Sequence, residues 1–168
     1  MPATYEKIAT TTLGSASATI TFNSIAASWT DLRLIVVAST TGTSDYNMAL
    51  RFNGDSGSNY SRIGMDVASG TIYNFNNVNQ TYIDWVYAHG ANPTPSLITY
   101  DIFSYAGSTN KTTLITASHD TSTSGPTALG RIAALWRNTS AITSIELSFA
   151  STNFAIGTTA TLYGILKA

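Results

Sequence analysis

The stretch Tyr46-Asn47-Met48-Ala49-Leu50-Arg51-Phe52-Asn53-Gly54 decides the fold class. Successive strand residues point to opposite faces, so Tyr46, Met48, Leu50 and Phe52 share one side of an extended chain while Asn47, Ala49 and Arg51 share the other. One side suits a core and the other suits water, and the Asn-Gly dipeptide that follows is a strong tight-turn signal. Working outward, the same period of two recurs. Ile20 and Phe22 share a face, and Leu32, Leu34 and Val36 alternate with Arg33, Ile35 and Val37 in a strand apolar enough on both sides to be central. Ile98, Tyr100 and Ile102 oppose Thr99, Asp101 and Phe103; Leu114 opposes Ile115; Ile132 and Ala134 oppose Arg131 and Ala133; Ile145, Leu147 and Phe149 oppose Glu146 and Ser148; Leu162, Gly164 and Leu166 oppose Tyr163 and Ile165.

Clusters of Gly, Asn, Asp, Ser and Pro at residues 40–45, 53–59, 90–95, 107–110, 122–126 and 152–157 supply the turns between these runs. About ten strands at this spacing, with no 3.6-residue apolar stripe, predict an all-β domain. With a closing strand at the C-terminal end, the expectation is an antiparallel jelly-roll-like β-sandwich of two sheets. Its expected core holds Phe22, Leu34, Val36, Leu50, Phe52, Ile102, Ile132, Leu147 and Leu162. Residues 26–31, where Ser28 and Thr30 offer capping oxygens, are expected to form one short helical turn. Residues 1–168 read as a single domain without internal repeats. In it, Tyr5 begins a first strand of the sandwich running to Leu13, and Pro2, Ala3 and Thr4 form an extended N-terminal arm suited to a neighbour's sheet edge.

Composition narrows the function. Of 168 residues, 43% are apolar and only 10% charged, against roughly 25% charged in an average domain. Water is met instead by 27 Thr, 20 Ser and 12 Asn. There is no Cys, which removes disulfides, thiol catalysis and cysteine metal sites. A net charge of −1 without a basic cluster gives no electrostatic footing for nucleic acid or an anionic membrane, so neither is an expected partner. The longest aliphatic run, Leu34 to Ala38, is far too short for a transmembrane helix.

Few side chains offer chemistry. Ser118-His119-Asp120 has the residue types of a hydrolytic triad, but neighbours in a strand face opposite ways, so no enzyme is expected. The only other histidine, His89, sits at a strand end, and with two His, two Glu and no Cys the four N or S ligands of a closed zinc site cannot be assembled within one chain. Asp84, Asp101, Glu6 and Glu146 all lie in expected strands and do not declare a glycosidase pair. Asn53, Asp55, Ser56, Ser58 and Asn59 put oxygens around one loop, a weak calcium candidate with a single carboxylate; no cofactor or required metal is expected. Tyr82, Trp85 and Tyr87 form the most interesting local aromatic set. Such rings pack into a core, anchor a subunit or stack on sugar rings.

Three strings carry a resemblance: Ile20-Thr21-Phe22-Asn23-Ser24-Ile25, Trp29-Thr30-Asp31-Leu32-Arg33-Leu34, and Leu50-Arg51-Phe52-Asn53-Gly54-Asp55 continuing to Tyr60-Ser61. Tyr100-Asp101-Ile102, Asn110-Lys111, Leu135-Trp136-Arg137, Ser140-Ala141-Ile142-Thr143-Ser144-Ile145 and Thr161-Leu162-Tyr163-Gly164-Ile165 extend it. Together these resemble a family of jelly-roll virion-surface proteins of tailed bacteriophages. The resemblance implies a structural or adhesive role and carries over no catalytic residue. Family domains in fibres tend to follow an anchoring segment, whereas here the first family strand comes within a few residues of Met1. The expectation is therefore a free-standing decoration or cement protein on the capsid surface, stabilising the shell and contacting the major capsid protein. The alternative is a receptor-binding tip or fibre module that recognises host glycan through Tyr82, Trp85 and Tyr87. Low charge and many aromatics predict a homo-oligomer, with a trimer expected. Trp29, Trp85 and Trp136, with the arm Pro2, Ala3 and Thr4, are the expected subunit or capsid contacts.

Overall fold

A computed structural model describes residues 5–68, 70–89, 94–120 and 127–166. Among them lie twelve strands and no helix: β1 (Tyr5–Thr12), β2 (Thr19–Phe22), β3 (Asp31–Ala38), β4 (Asp45–Phe52), β5 (Tyr60–Ala68), β6 (Thr71–Gln80), β7 (Ile83–His89), β8 (Ser96–Phe103), β9 (Lys111–Asp120), β10 (Thr127–Trp136), β11 (Ile145–Phe149) and β12 (Thr159–Ile165). They form an eight-stranded sheet in the order β1-β12-β3-β8-β9-β10-β5-β6 and a four-stranded sheet in the order β2-β11-β4-β7. The paired strands run antiparallel. The chain changes sheet at most connections and stays in one sheet only along β5–β6 and β8–β9–β10. Two apolar faces wrapped together in this way make the jelly-roll-like β-sandwich that the alternation predicts.

The inner faces follow the period of two. In β3 Leu32, Leu34, Val36 and Ala38 are buried while Arg33, Ile35 and Val37 turn outward, and the strand is central, between β12 and β8. Arg33 Nε donates to its cross-strand partner Asp101 at 2.5 Å. All nine expected core residues are buried; fully burying a large apolar side chain contributes about 1.5–3 kcal/mol. β1 is the first strand of its own sandwich, paired with β12 through an irregularity between Lys7 and Ala9.

Two local expectations change. Residues 26–31 form no helical turn, because their backbone is bonded elsewhere: Thr30 N donates to Ile165 O (2.9 Å), Trp29 N to the Tyr105 hydroxyl (3.2 Å), and that hydroxyl to Ala26 O (2.5 Å). Asn53 and Gly54 do take positive φ, 53° and 65°, but they turn a corner between sheets and close no hairpin. Asn53 Oδ1 accepts from the amides of Thr143 (2.8 Å) and Ser144 (3.1 Å), and its Nδ2 donates to Ala141 O (2.8 Å). The corner is thereby clamped to the approach of β11. At the start of β9, Lys111 is wholly buried, its ammonium donating to the carbonyls of Gly107 (2.7 Å), Thr109 and Thr139 (3.4 Å).

The Trp29 ring lies against β12, where a Cβ on Gly164 would stand 2.3 Å from its Cγ and Cδ2. We expect Gly164→Ala to cost about 1–3 kcal/mol in urea unfolding, and the cost to shrink in a Trp29→Ala background. Equal stability of Gly164→Ala and the parent would refute this packing.

Candidate functional site

Strand β5 reverses the usual polarity of a sandwich strand. Arg62 and Asp66 point inward and are buried, so Ile63, Met65 and Val67 point outward. Register extends this apolar outer face across the sheet. Ile72 of β6, Val67 of β5 and Leu129 of β10 form one row; Asn74, Met65 and Arg131 the next; Asn76, Ile63, Ala133 and Leu114 a third. Ile63 is 57% exposed, Met65 50%, Leu129 54% and Ile72 65%. Among these side chains Arg131 carries the only charge, and its Nη1 is occupied with Thr116 Oγ1 at 2.7 Å. A depression of about 620 Å³ lies here, lined by Ile63, Met65, Asn74, Leu114 and Arg131. A second of about 240 Å³ shares Ile63, Asn76 and Ala133 with its surroundings. Exposed apolar side chains gathered on one sheet face in this way make it the candidate interaction surface of the described residues.

The polar side chains that β5 turns inward meet the smaller sheet. Arg62 Nη1 pairs with Asp84 Oδ1 of β7, both residues buried. Asn47 of β4 donates from Nδ2 to Asp84 Oδ2 (3.2 Å) and accepts from Val86 N (3.0 Å). Burial lowers the Arg62 pKa from its ordinary value, opposed by the phenols of Tyr82 and Tyr87.

The expected aromatic platform is consumed within the chain. Trp85, at φ 67°, stacks on Phe75 of β6 with ring centres 4.3 Å apart and planes at 21°, and meets Tyr87 edge-on at 6.2 Å. Tyr82 carries Arg51 over its ring at 5.2 Å. The three rings therefore do not present one open stacking surface. Tyr82 instead lines a separate concavity of about 260 Å³ on the four-stranded sheet with Asn47, Arg51, Asp84 and Ser148.

Trp136 is corrected from contact residue to core residue. It is wholly buried between Phe52 (5.5 Å) and Tyr60 (6.3 Å), and its Nε1 donates to Asp55 Oδ2 at 2.7 Å. Trp29 is half-buried against Gly164. Pro2, Ala3 and Thr4 lie outside the described residues, as do the side chains of His89, His119 and Asp120. The Asn53–Asp55 loop spends its oxygens on the fold: besides Trp136, Asp55 accepts from Asn59 Nδ2 (2.9 Å) and Gly57 N (2.8 Å), while Asn53 holds the corner described above. Of the surface that the structure singles out, Ile63, Met65, Ile72 and Leu129 were not distinguished by sequence. No family model and no curated protein matches the chain, so the phage resemblance stands on the motifs quoted for it.

Burial alone would raise the Asp55 carboxyl, but hydrogen bonds from Trp136, Asn59 and Gly57 outweigh it and hold the pKa below the ordinary carboxylate value. A depressed folded-state pKa adds stability that is complete above the unfolded pKa of about 4 and is lost as pH falls through the folded value. We expect Asp55→Asn to melt below the parent at neutral pH and the gap to close in acid. A gap that stays constant from pH 6 into strong acid would show that the carboxylate charge is irrelevant.

Proposed function

We propose that this protein is a non-enzymatic structural component of a tailed-phage virion. In this reading it decorates the outer capsid surface, contacts the major capsid protein, and cements the shell by burying area across its seams. The observation that carries the reading is the apolar outer face of β5, β6 and β10, where Ile63, Met65, Ile72 and Leu129 stand exposed with Arg131 the one charged side chain among them. An apolar, charge-poor face suits a permanent seat on another protein. The motif resemblance supplies the kind of particle. Binding shared among many equivalent copies stabilises a shell by mass action, because each copy binds only the assembled state.

A second reading, a receptor-binding tip or fibre module, is favoured by the concavity that places Tyr82 beside Asn47, Arg51 and Ser148. An aromatic ring flanked by amide, guanidinium and hydroxyl groups is suitable chemistry for a sugar.

Copy number separates the two. Quantitative mass spectrometry of purified particles is expected to give hundreds of copies per virion; tens or fewer would favour the fibre. In a reconstitution on stripped shells, Met65→Asp combined with Leu129→Asp should abolish occupancy while the circular dichroism stays that of the parent. Occupancy by the parent should change little between about 0.05 and 0.5 M salt, over which the Debye length falls roughly threefold. Full occupancy by the double variant would overturn the proposed seat.

A further inference from the structure

Among the described residues the sandwich has four edge strands, β1, β2, β6 and β7, and three of them are guarded. β1 carries Glu6 and Lys7 and breaks register between Lys7 and Ala9. β2 has only four residues. β7 carries Asp84, holds Trp85 at positive φ, and loses register against β4 between Met48 and Leu50. Charges, irregularities and shortness are the devices that stop a sheet edge from recruiting another strand. β6 has none of them along most of its length. Its ten residues, Thr-Ile-Tyr-Asn-Phe-Asn-Asn-Val-Asn-Gln, contain no charge and no Pro; its register irregularity against β5 and the positive φ of Asn79 (57°) both fall in the last residues, leaving 71–77 regularly paired. It is also exposed on both faces, with Ile72 at 65%, Val78 at 60% and Tyr73 at 50%. Inside the chain its stacked side-chain partner from the other sheet is Trp85, against Phe75.

We propose that β6 is a self-pairing edge: two copies of this chain join β6 to β6, antiparallel about a two-fold axis, into one continuous sixteen-stranded sheet. The occupant is a second copy for three reasons. An uncharged strand meets its own copy without repulsion, whichever register it takes. An isologous pair needs only one unguarded edge, whereas a ring of three needs two different complementary edges, and the other edges are guarded. This separates the geometry from the threefold ring that composition suggests. Finally, pairing at β6 joins the two apolar outer faces, because Ile72 and the Asn74 and Asn76 rows of each copy run straight into the partner's. The Asn side chains of facing strands are then placed to hydrogen-bond across the axis, as amide ladders do in stacked strands. The inference is independent of what particle, if any, the protein occupies.

Light scattering of the purified chain at micromolar concentration is expected to give a dimer. Asn74→Lys with Asn76→Lys should give a monomer with an unchanged circular dichroism spectrum, and so should Asn74→Glu with Asn76→Glu. Mixing the two variants should restore a dimer, since opposite charges then face each other across the axis. If either pair of substitutions compromises folding, single cysteines placed in turn at Asn74, Phe75, Asn76 and Asn77 serve instead, because a two-fold axis sets one residue of β6 directly against its own copy. The chain has no other cysteine, so oxidation of at least one of them should yield a covalent dimer through the middle of β6, and Thr10→Cys on β1 should not. A parent that is monomeric or trimeric, charge variants that remain dimeric, or a cysteine series in which none cross-links on oxidation would each overturn the proposal. None of these outcomes depends on capsid binding, so the virion reading stands or falls separately.

Discussion

The buried ion pair between Arg62 and Asp84 sets the character of one whole end of the molecule. It ties β5, near one edge of the larger sheet, to β7, the edge of the smaller, and so closes that side of the sandwich. Its more important effect is on parity. Strand side chains alternate, so an Arg62 held inward requires Ile63, Met65 and Val67 to face outward, and a slip of one residue would exchange the sets. Burying two charges is costly and their attraction only partly offsets the cost, although removing one partner alone is more costly still, about 3–5 kcal/mol. The pair is thus better understood as fixing register than as adding stability.

That parity also explains what could and could not be read from the sequence. β4 and β11 put hydrophobes in and mostly polar groups out, and β3 and β12 keep apolar residues at every inward position, so their alternation and core residues were legible. β5 and β6 were not. Arg62-Ile63-Gly64-Met65-Asp66 alternates with the opposite sense, and the four Asn of β6 belong to a residue type depleted in strands. Trp136 was legible as an important aromatic but not as a core residue. Its burial depends on Asp55, eighty-one positions away, accepting the indole N–H, and no short-range pattern reports such a partner. For the same reason the Asn53-Gly54 turn could be located while its role as a corner between sheets could not: the groups that clamp it come from residues 141–144.

The larger sheet is chemically lopsided as a result. Toward β1 and β12 its outer surface is hydroxylic, with Thr10 and Thr161 bonded across the strands at 3.1 Å and Thr12 opposite Thr159. Toward β5 and β6 it is aliphatic. A chain this poor in charge has to meet water with Thr, Ser and Asn, and the sheet divides them, with paired threonines toward β1 and β12 and the four Asn of β6 at the opposite edge.

The buried ammonium of Lys111 has a practical consequence. The sequence contains three lysines, Lys7, Lys111 and Lys167, and the Lys111 amine is sealed behind three carbonyls, out of reach of acylating reagents while the fold persists. Lys7 is exposed on β1, at the far end of the eight-stranded sheet from β6, a distance of about 34 Å at the usual strand spacing. Amine coupling through Lys7 to a dye, bead or sensor surface therefore fastens the molecule by its hydroxylic end and leaves the aliphatic end facing outward.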